Sequence, residues 1–270
     1  MRVRPLDATP PELPLMARGT RVSDSTSLPV SWHLAEEAAI AFLINGRSFA
    51  VMMATPADLD DFALGFLTTE RIITAPSDLE ELRVMPIEEG YALNCIVPEH
   101  IAASVEKRRR TLAGRSGCGI CGAETLGAAL PRLPQVTGAR PDHGAVLAAF
   151  KALPGLQPLN AANHSTHAAA FFSNDGTITV AREDIGRHNA LDKLGGAMIR
   201  LGIDPLQGFG VLSSRMSVEM VQKAVILGLP FLASVSAPTD LALRTAKRSG
   251  LMICAFSRDG LVFFEAANTR

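Results

Sequence analysis

Residues 114–122 read GRSGCGICG, so Cys118 and Cys121 stand as a CxxC pair in a run that is otherwise mostly glycine. Such a pair can hold a metal, cycle as a disulfide, or carry a group on sulfur. Immediately upstream lie Lys107, Arg108, Arg109, Arg110 and Arg115. In isolation a basic run of this kind is a solvated helix face. Next to thiols it matters more, because nearby cations stabilise thiolate and lower the thiol pKa.

The three chemistries make different demands. Structural zinc needs four Cys or His ligands, usually as a second pair at ribbon or finger spacing. The remaining cysteines, Cys95 and Cys254, are isolated in predicted strands, and no second CxxC or HxxxH follows. No metal site is therefore assigned within one chain. A thioredoxin-type pair should open a helix directly after a strand. Here the pair follows a stretch of helical period and is flanked by Gly117, Gly119 and Gly122. That setting is poor for tuning a reduction potential and good for a swinging thiol that accepts a group and delivers it elsewhere.

The elements that must position this thiol divide the chain. Its 270 residues suffice for two compact units or one large one. With 26 Lys plus Arg against 27 Asp plus Glu, a formal charge of −1 gives no general attraction to nucleic acid or anionic membrane. No apolar run approaches the roughly 20 residues of a membrane span. The start lacks the apolar core of a secretory signal. Four cysteines do not make a disulfide framework, so a reduced, cytoplasmic setting is expected. Residues 1–30, with Pro5, Pro10, Pro11, Pro14 and Pro29, read as a poorly ordered arm. Residues 31–110 read as a smaller α+β domain. It has a hairpin at Asn45-Gly46, a helix capped by Thr55 with Pro56 at its first position, and a strand pair holding Cys95 as a small core residue. Residues 111–124 are the mobile CxxC loop, and residues 125–270 an α/β domain.

In that last domain strands alternate with helices, which implies crossover connections and a mixed sheet with a parallel portion. Ligands gather beyond the carboxyl ends of such strands, where helix amino termini point. The residues there are polar: Ser213, Ser214 and Arg215; Ser236 and Thr239; Ser257, Arg258 and Asp259. Ser and Thr are ordinary helix caps, but three polar junctions with two arginines make a phosphate-binding edge. A zinc-dependent nucleobase deaminase would need Glu two residues after His188 and a PCxxC pair on the next helix. Ala190 occupies the first place and SSRMSVEM the second. That chemistry lacks both its metal and its proton shuttle.

Three motifs in order, RSGCGICG, VAREDIGRHNALDKLGGA and LSSRMSVEMVQKA, closely resemble the formate dehydrogenase accessory sulfurtransferase family (FdhD). The resemblance implies an α/β, cytidine-deaminase-like mixed-sheet sandwich with a smaller α+β domain, usually as a homodimer. It implies a cytoplasmic sulfurtransferase that accepts persulfide sulfur from a cysteine desulfurase. The sulfur passes to the molybdenum cofactor, a bis(molybdopterin guanine dinucleotide) required by the client formate dehydrogenase. Cys118 is then the expected persulfide carrier, with Cys121 sharing or resolving the sulfur. The cofactor-binding stretch corresponds to Phe256, Ser257, Arg258, Asp259, Gly260 and Leu261. Ser213, Ser214 and Arg215 with Arg187 and His188 would complete the guanine-nucleotide site, Asp192 and Lys193 being either part of it or capping and surface-paired residues. A cofactor-binding chaperone without sulfur transfer is the alternative. The chain departs from the family at NHSTHAAA, where His164 and Ser165 replace two glycines of a TGGTHAAA-like run; His167 is kept, and a local change of the pocket is expected.

Overall fold

The computed structural model describes residues 2–4, 15–112 and 131–264. Two sheets carry most of the chain. In the first, β4 (Ala38–Ile44) and β5 (Arg47–Ala54) form a hairpin, β6 (Glu81–Ile87) and β7 (Gly90–Ile96) form another, and β1 (Arg2–Arg4) pairs with β6. The strand order is β1-β6-β7-β4-β5, with β4 and β7 parallel. The β4–β5 turn is Asn45-Gly46, both at positive φ (47° and 80°), the backbone these residues accept most readily. Ile40, Phe42 and Ile44 alternate inward and are buried. They meet Phe62, Phe66 and Leu67 on α1 (Leu59–Thr69) and Val105 on α2 (Glu99–Leu112). Cys95 is fully buried in this core.

The second sheet has the order β13-β12-β11-β10-β8-β9. Its strands are β8 (His167–Ser173), β9 (Ile178–Asp184), β10 (Gly208–Leu212), β11 (Phe231–Ser234), β12 (Met252–Ser257) and β13 (Gly260–Phe264). The central β10, β11 and β12 are parallel, and the flanking strands are antiparallel. One face is covered by α5 (Arg187–Arg200), α6 (Val218–Ile226) and α7 (Asp240–Ser249), which bury Leu191, Leu194, Val221 and Ala246 against it. The other face takes α3 (His143–Ala152), whose Val146, Ala149 and Phe150 pack on Ala170, Phe172 and Phe209. A short helix, α4 (Pro158–Asn163), follows α3. The caps are local: Asp142 accepts from the Gly144 amide at 2.7 Å, Thr239 from the Ala242 amide, and Gly250 ends α7 at φ 75°.

Three expectations need correction. Residues 16–33, assigned mostly to an irregular arm, form the hairpin of β2 (Met16–Ser23) and β3 (Thr26–His33). Their β-branched and apolar content outweighs Pro29, which a two-stranded ribbon tolerates. Thr55 and Pro56 do not open α1, because Asp58 is its cap residue, at φ 53° and without a side-chain bond. Thr55 is instead drawn into contacts with the second sheet: its amide donates to Asp184 at 3.1 Å and its hydroxyl accepts from the Ile185 amide at 3.2 Å. Asp192 and Lys193 are not surface-paired; both are buried between the two sheet units.

That joint is unusually polar. Helices α1 and α5 cross where Gly65 and Gly196 leave no room for a side chain. Around the crossing, Asp61 accepts from Arg182 and from Arg200, each at 2.8 Å. Lys223 binds Asp192 at 2.9 Å, and Thr69 donates to the same carboxylate at 2.6 Å. Lys193 and Asp184 pair at 2.7 Å with no solvent exposure, and Lys193 also donates to the Thr55 carbonyl. Each buried charge is therefore matched and further bonded, the condition under which such pairs are tolerated.

Candidate functional site

A cavity of about 460 Å³ opens beyond the carboxyl ends of β10 and β11. Such an edge is where open α/β sheets ordinarily hold ligands. Its walls come from α3 and the turn after it (Phe150, Pro154), from α4 and its end (Asn160, His164), and from His167 and Ser213 at the strand tips. Ser213 fixes the tip of β8: its hydroxyl accepts from the Ala168 amide at 2.7 Å and its own amide donates to the Ala168 carbonyl at 2.9 Å. Thr166 donates to Glu183 at 3.0 Å, and the same carboxylate takes the Leu159 and Asn160 amides at the start of α4. The floor is thus tied to β9 through one buried acid.

Two guanidinium groups act on the lining residue His167. Burial lowers the pKa of His167, and the guanidinium groups of Arg187 and Arg215 lower it further, with Asp184 opposing. Arg187 is the first residue of α5, whose cap position Gly186 offers no side-chain bond to the helix amides. Its Nε is buried without a hydrogen-bond partner. A buried guanidinium nitrogen left unsatisfied, beside a second arginine and a helix start, is a donor set suited to an oxyanion. His188 turns toward α6, its Nε2 3.0 Å from Glu219 Oε2.

The residues singled out from sequence fall into three groups. Ser213 lines the cavity, and Arg187, Arg215 and His188 act electrostatically on His167, which also lines it. Ser214 is buried and donates to the Arg215 carbonyl at 3.1 Å. Phe256 brings the 256–261 stretch to the rim, its ring 5.2 Å from that of the lining residue Phe150. Ser257 begins the turn into β13 and accepts from the Asp259 amide, Arg258 and Asp259 are exposed in that turn, and Gly260 takes φ 125° as Leu261 enters the strand. Cys118 and Cys121, with nearly all of the 111–124 segment, lie outside the described residues. The other two cysteines are described and chemically quiet: burial pushes the Cys95 thiol up to about 12 and the Cys254 thiol up to about 11. Among the described residues no group of three or more His, Cys, Asp or Glu side chains is arranged to hold a metal ion.

Sequence reasoning placed His164, Ser165 and His167 at the pocket through the NHSTHAAA run, and all three line the cavity; it did not assign Phe150, Pro154, Gln157 and Asn160 of the α3–α4 wall. The local signal for those four was slight: Pro158 at a helix start and Asn163-His164, a pair suited to ending a helix.

A model of the FdhD/NarQ family matches residues 35–265. The chain belongs to this family. A relative from Bordetella petrii, named sulfur carrier protein FdhD, is 44% identical over 246 residues, covering 91% of this chain and 87% of that protein. A protein of the same name from Xanthomonas campestris pv. campestris is 47% identical over 228 residues, covering 84% and 81%. The fold matches the crystal structure of a candidate formate dehydrogenase accessory protein from Desulfotalea psychrophila. There the TM-score is 0.71 at 23% identity, over 94% of this chain and 98% of the other. The mixed α/β architecture is therefore that of an FdhD/NarQ protein. Among the described residues no helix is long and apolar enough to cross a membrane.

Proposed function

We propose that this protein is a persulfide-carrying sulfurtransferase of the cytoplasm serving formate dehydrogenase. Cys118 accepts sulfur from a cysteine desulfurase, and Cys121 shares or resolves it. The thiolate attacks the outer sulfur of the donor persulfide, a new S–S bond forms, and the donor cysteine leaves as thiolate. No electrons are gained or lost. The Cys121 thiolate then attacks the Cys118 sulfur, a Cys118–Cys121 disulfide forms, and the outer sulfur leaves at the sulfide level for the molybdenum cofactor, a bis(molybdopterin guanine dinucleotide) that is substrate here and not a resident group.

The observation that carries this reading is the state of the other thiols. With Cys95 and Cys254 buried and their pKa values raised, the CxxC pair is left as the chain's reactive sulfur. The relatives' name, sulfur carrier, supports it. The cavity supports the second half. Its volume suits a nucleotide-sized portion of the cofactor, and the orphaned Arg187 Nε with Arg215 offers donors for phosphate. In this reading residues 31–110 are the smaller unit, residues 111–124 carry the sulfur, and residues 125–270 form a cytidine-deaminase-like unit that holds the guanine nucleotide. The working form is a homodimer, and formate dehydrogenase is the client.

The test is mass spectrometry of the full chain after incubation with an active cysteine desulfurase and cysteine, without reductant. One sulfur should appear on Cys118 or Cys121, leave with dithiothreitol, and be lost in Cys118→Ala while GDP binding persists. Neither cysteine gaining sulfur would overturn the carrier assignment and leave a cofactor-binding chaperone.

A further inference from the structure

We propose that Trp32 and His164 form an aromatic wall of the cavity that stacks the flat purine ring of its ligand. The inference rests on the reading that this cavity takes the nucleotide part of the cofactor, and it names the side chains that would grip the base.

Two features that folding does not require meet at this wall. Trp32, on β3, is 41% exposed, so it does not anchor the hairpin in a core. Its ring lies 5.4 Å from that of His164, tilted by 45°. His164 ends α4 with φ 57° and ψ 26°, the left-handed conformation that glycine adopts without penalty and a side chain does not. At that strained position the chain carries a ring that is exposed and lines the cavity. Strain of this kind persists where the surroundings enforce it, and it clusters at ligand-binding positions.

The remainder of the cavity has the complementary chemistry. Another wall is Phe150, whose ring lies 5.2 Å from that of Phe256. The same cavity is lined by the polar residues Gln157, Asn160, Ser165 and Thr166. Aromatic faces flanking a polar edge are what a hydrogen-bonding heteroaromatic ring requires. Arg187 and Arg215, which act on the lining residue His167, supply the positive charge that a phosphate attached to that ring would need.

Trp32 is the chain's single tryptophan, so its fluorescence reports on this wall alone. GDP titrated into the full-length protein should quench that fluorescence with the same midpoint as the heat of binding measured by calorimetry. Stacking of one base is worth roughly a 5- to 100-fold change in affinity, so Trp32→Ala and His164→Gly should each weaken GDP binding within that range. Trp32→Phe should retain binding, and inorganic pyrophosphate, which has no base, should bind Trp32→Ala and parent alike. A thermal melt of each variant separates loss of grip from loss of fold. GDP binding with unchanged fluorescence, and with Trp32→Ala within twofold of the parent, would overturn the wall while leaving the nucleotide cavity standing. No GDP binding by the parent would overturn both.

Discussion

The crossing of α1 and α5 permits a quantitative prediction. A methyl group at Gly65 would lie 1.7 Å from the Asp192 carbonyl oxygen, and one at Gly196 would lie 1.8 Å from that of Asp61. Both obstacles are helix backbone, which cannot rotate aside. Restoring a carbon–oxygen contact of roughly 3.3 Å requires the helices to part by about 1.5 Å. That displacement stretches the bonds at 2.6 and 2.9 Å by which Thr69 on α1 meets Asp192 and Lys223. Alanine gains about 1 kcal/mol of helix propensity over glycine. Overpacking of this severity costs about 3 kcal/mol or more. The net loss for Gly65→Ala or Gly196→Ala is then about 2–4 kcal/mol, a fall in Tm of roughly 4–16 °C for a chain of this size. Because one separation relieves both clashes, the double variant should be markedly less destabilised than the sum of the two. The measurement is thermal unfolding by circular dichroism, with urea unfolding as a check. Single variants melting within 2 °C of the parent would refute the claim that the two units are locked at these glycines.

Two further outcomes follow from buried charge. Lys193→Met leaves the Asp184 carboxylate in the joint without its ammonium, so urea unfolding should show a loss of about 3–5 kcal/mol. Adding Asp184→Asn should recover part of it, and a Lys193→Met protein as stable as the parent would show that the pair is dispensable. At the cavity, the pKa of His167 is lowered by burial and by Arg187 and Arg215. An anion seated by those arginines cancels their effect and raises the histidine pKa in the complex, so binding takes up a proton and strengthens as pH falls between the two values. Calorimetric affinity for pyrophosphate, taken as the ratio of parent to His167→Gln, should therefore rise from about pH 7 to pH 5; a flat ratio would place the anion elsewhere.

What could be read in the sequence is what local chemistry decides. Asn45-Gly46 announces its hairpin, Gly250 ends its helix, and the alternation of apolar strands with helical segments after residue 167 announces the mixed sheet. The strand-tip serine at the cavity follows from the same pattern, as do the basic groups that flank it. Two of the errors share one cause, a partner far away in the chain. Thr55 and Pro56 look like a helix start, yet Thr55 answers to Asp184 across 129 residues. Asp192 and Lys193 look like a solvated pair because helical spacing cannot reveal that Lys223, Thr69 and Thr55 enclose them. His164 and Ser165 were flagged through the NHSTHAAA run, but Phe150, Pro154 and Asn160 escaped notice because they reach the site through tertiary packing and carry no motif. Trp32 escaped for a similar reason, since the proline-rich start concealed a hairpin whose tryptophan meets His164 across 132 positions of sequence.

The polar joint also sets an order of events during synthesis. Asp61 is emptied of water in the finished protein, but its two guanidinium partners lie 121 and 139 residues later in the chain. At about 5–20 residues per second, a ribosome needs roughly 7–28 s after making Asp61 to supply Arg200. During that interval the first sheet can pair its strands, yet the α1 surface that carries Asp61 has nothing to close against and stays wet. The amino-terminal half therefore completes its fold only when the carboxyl-terminal half has emerged, and a nascent chain arrested between the two would present that helix face to whatever chaperone is nearby.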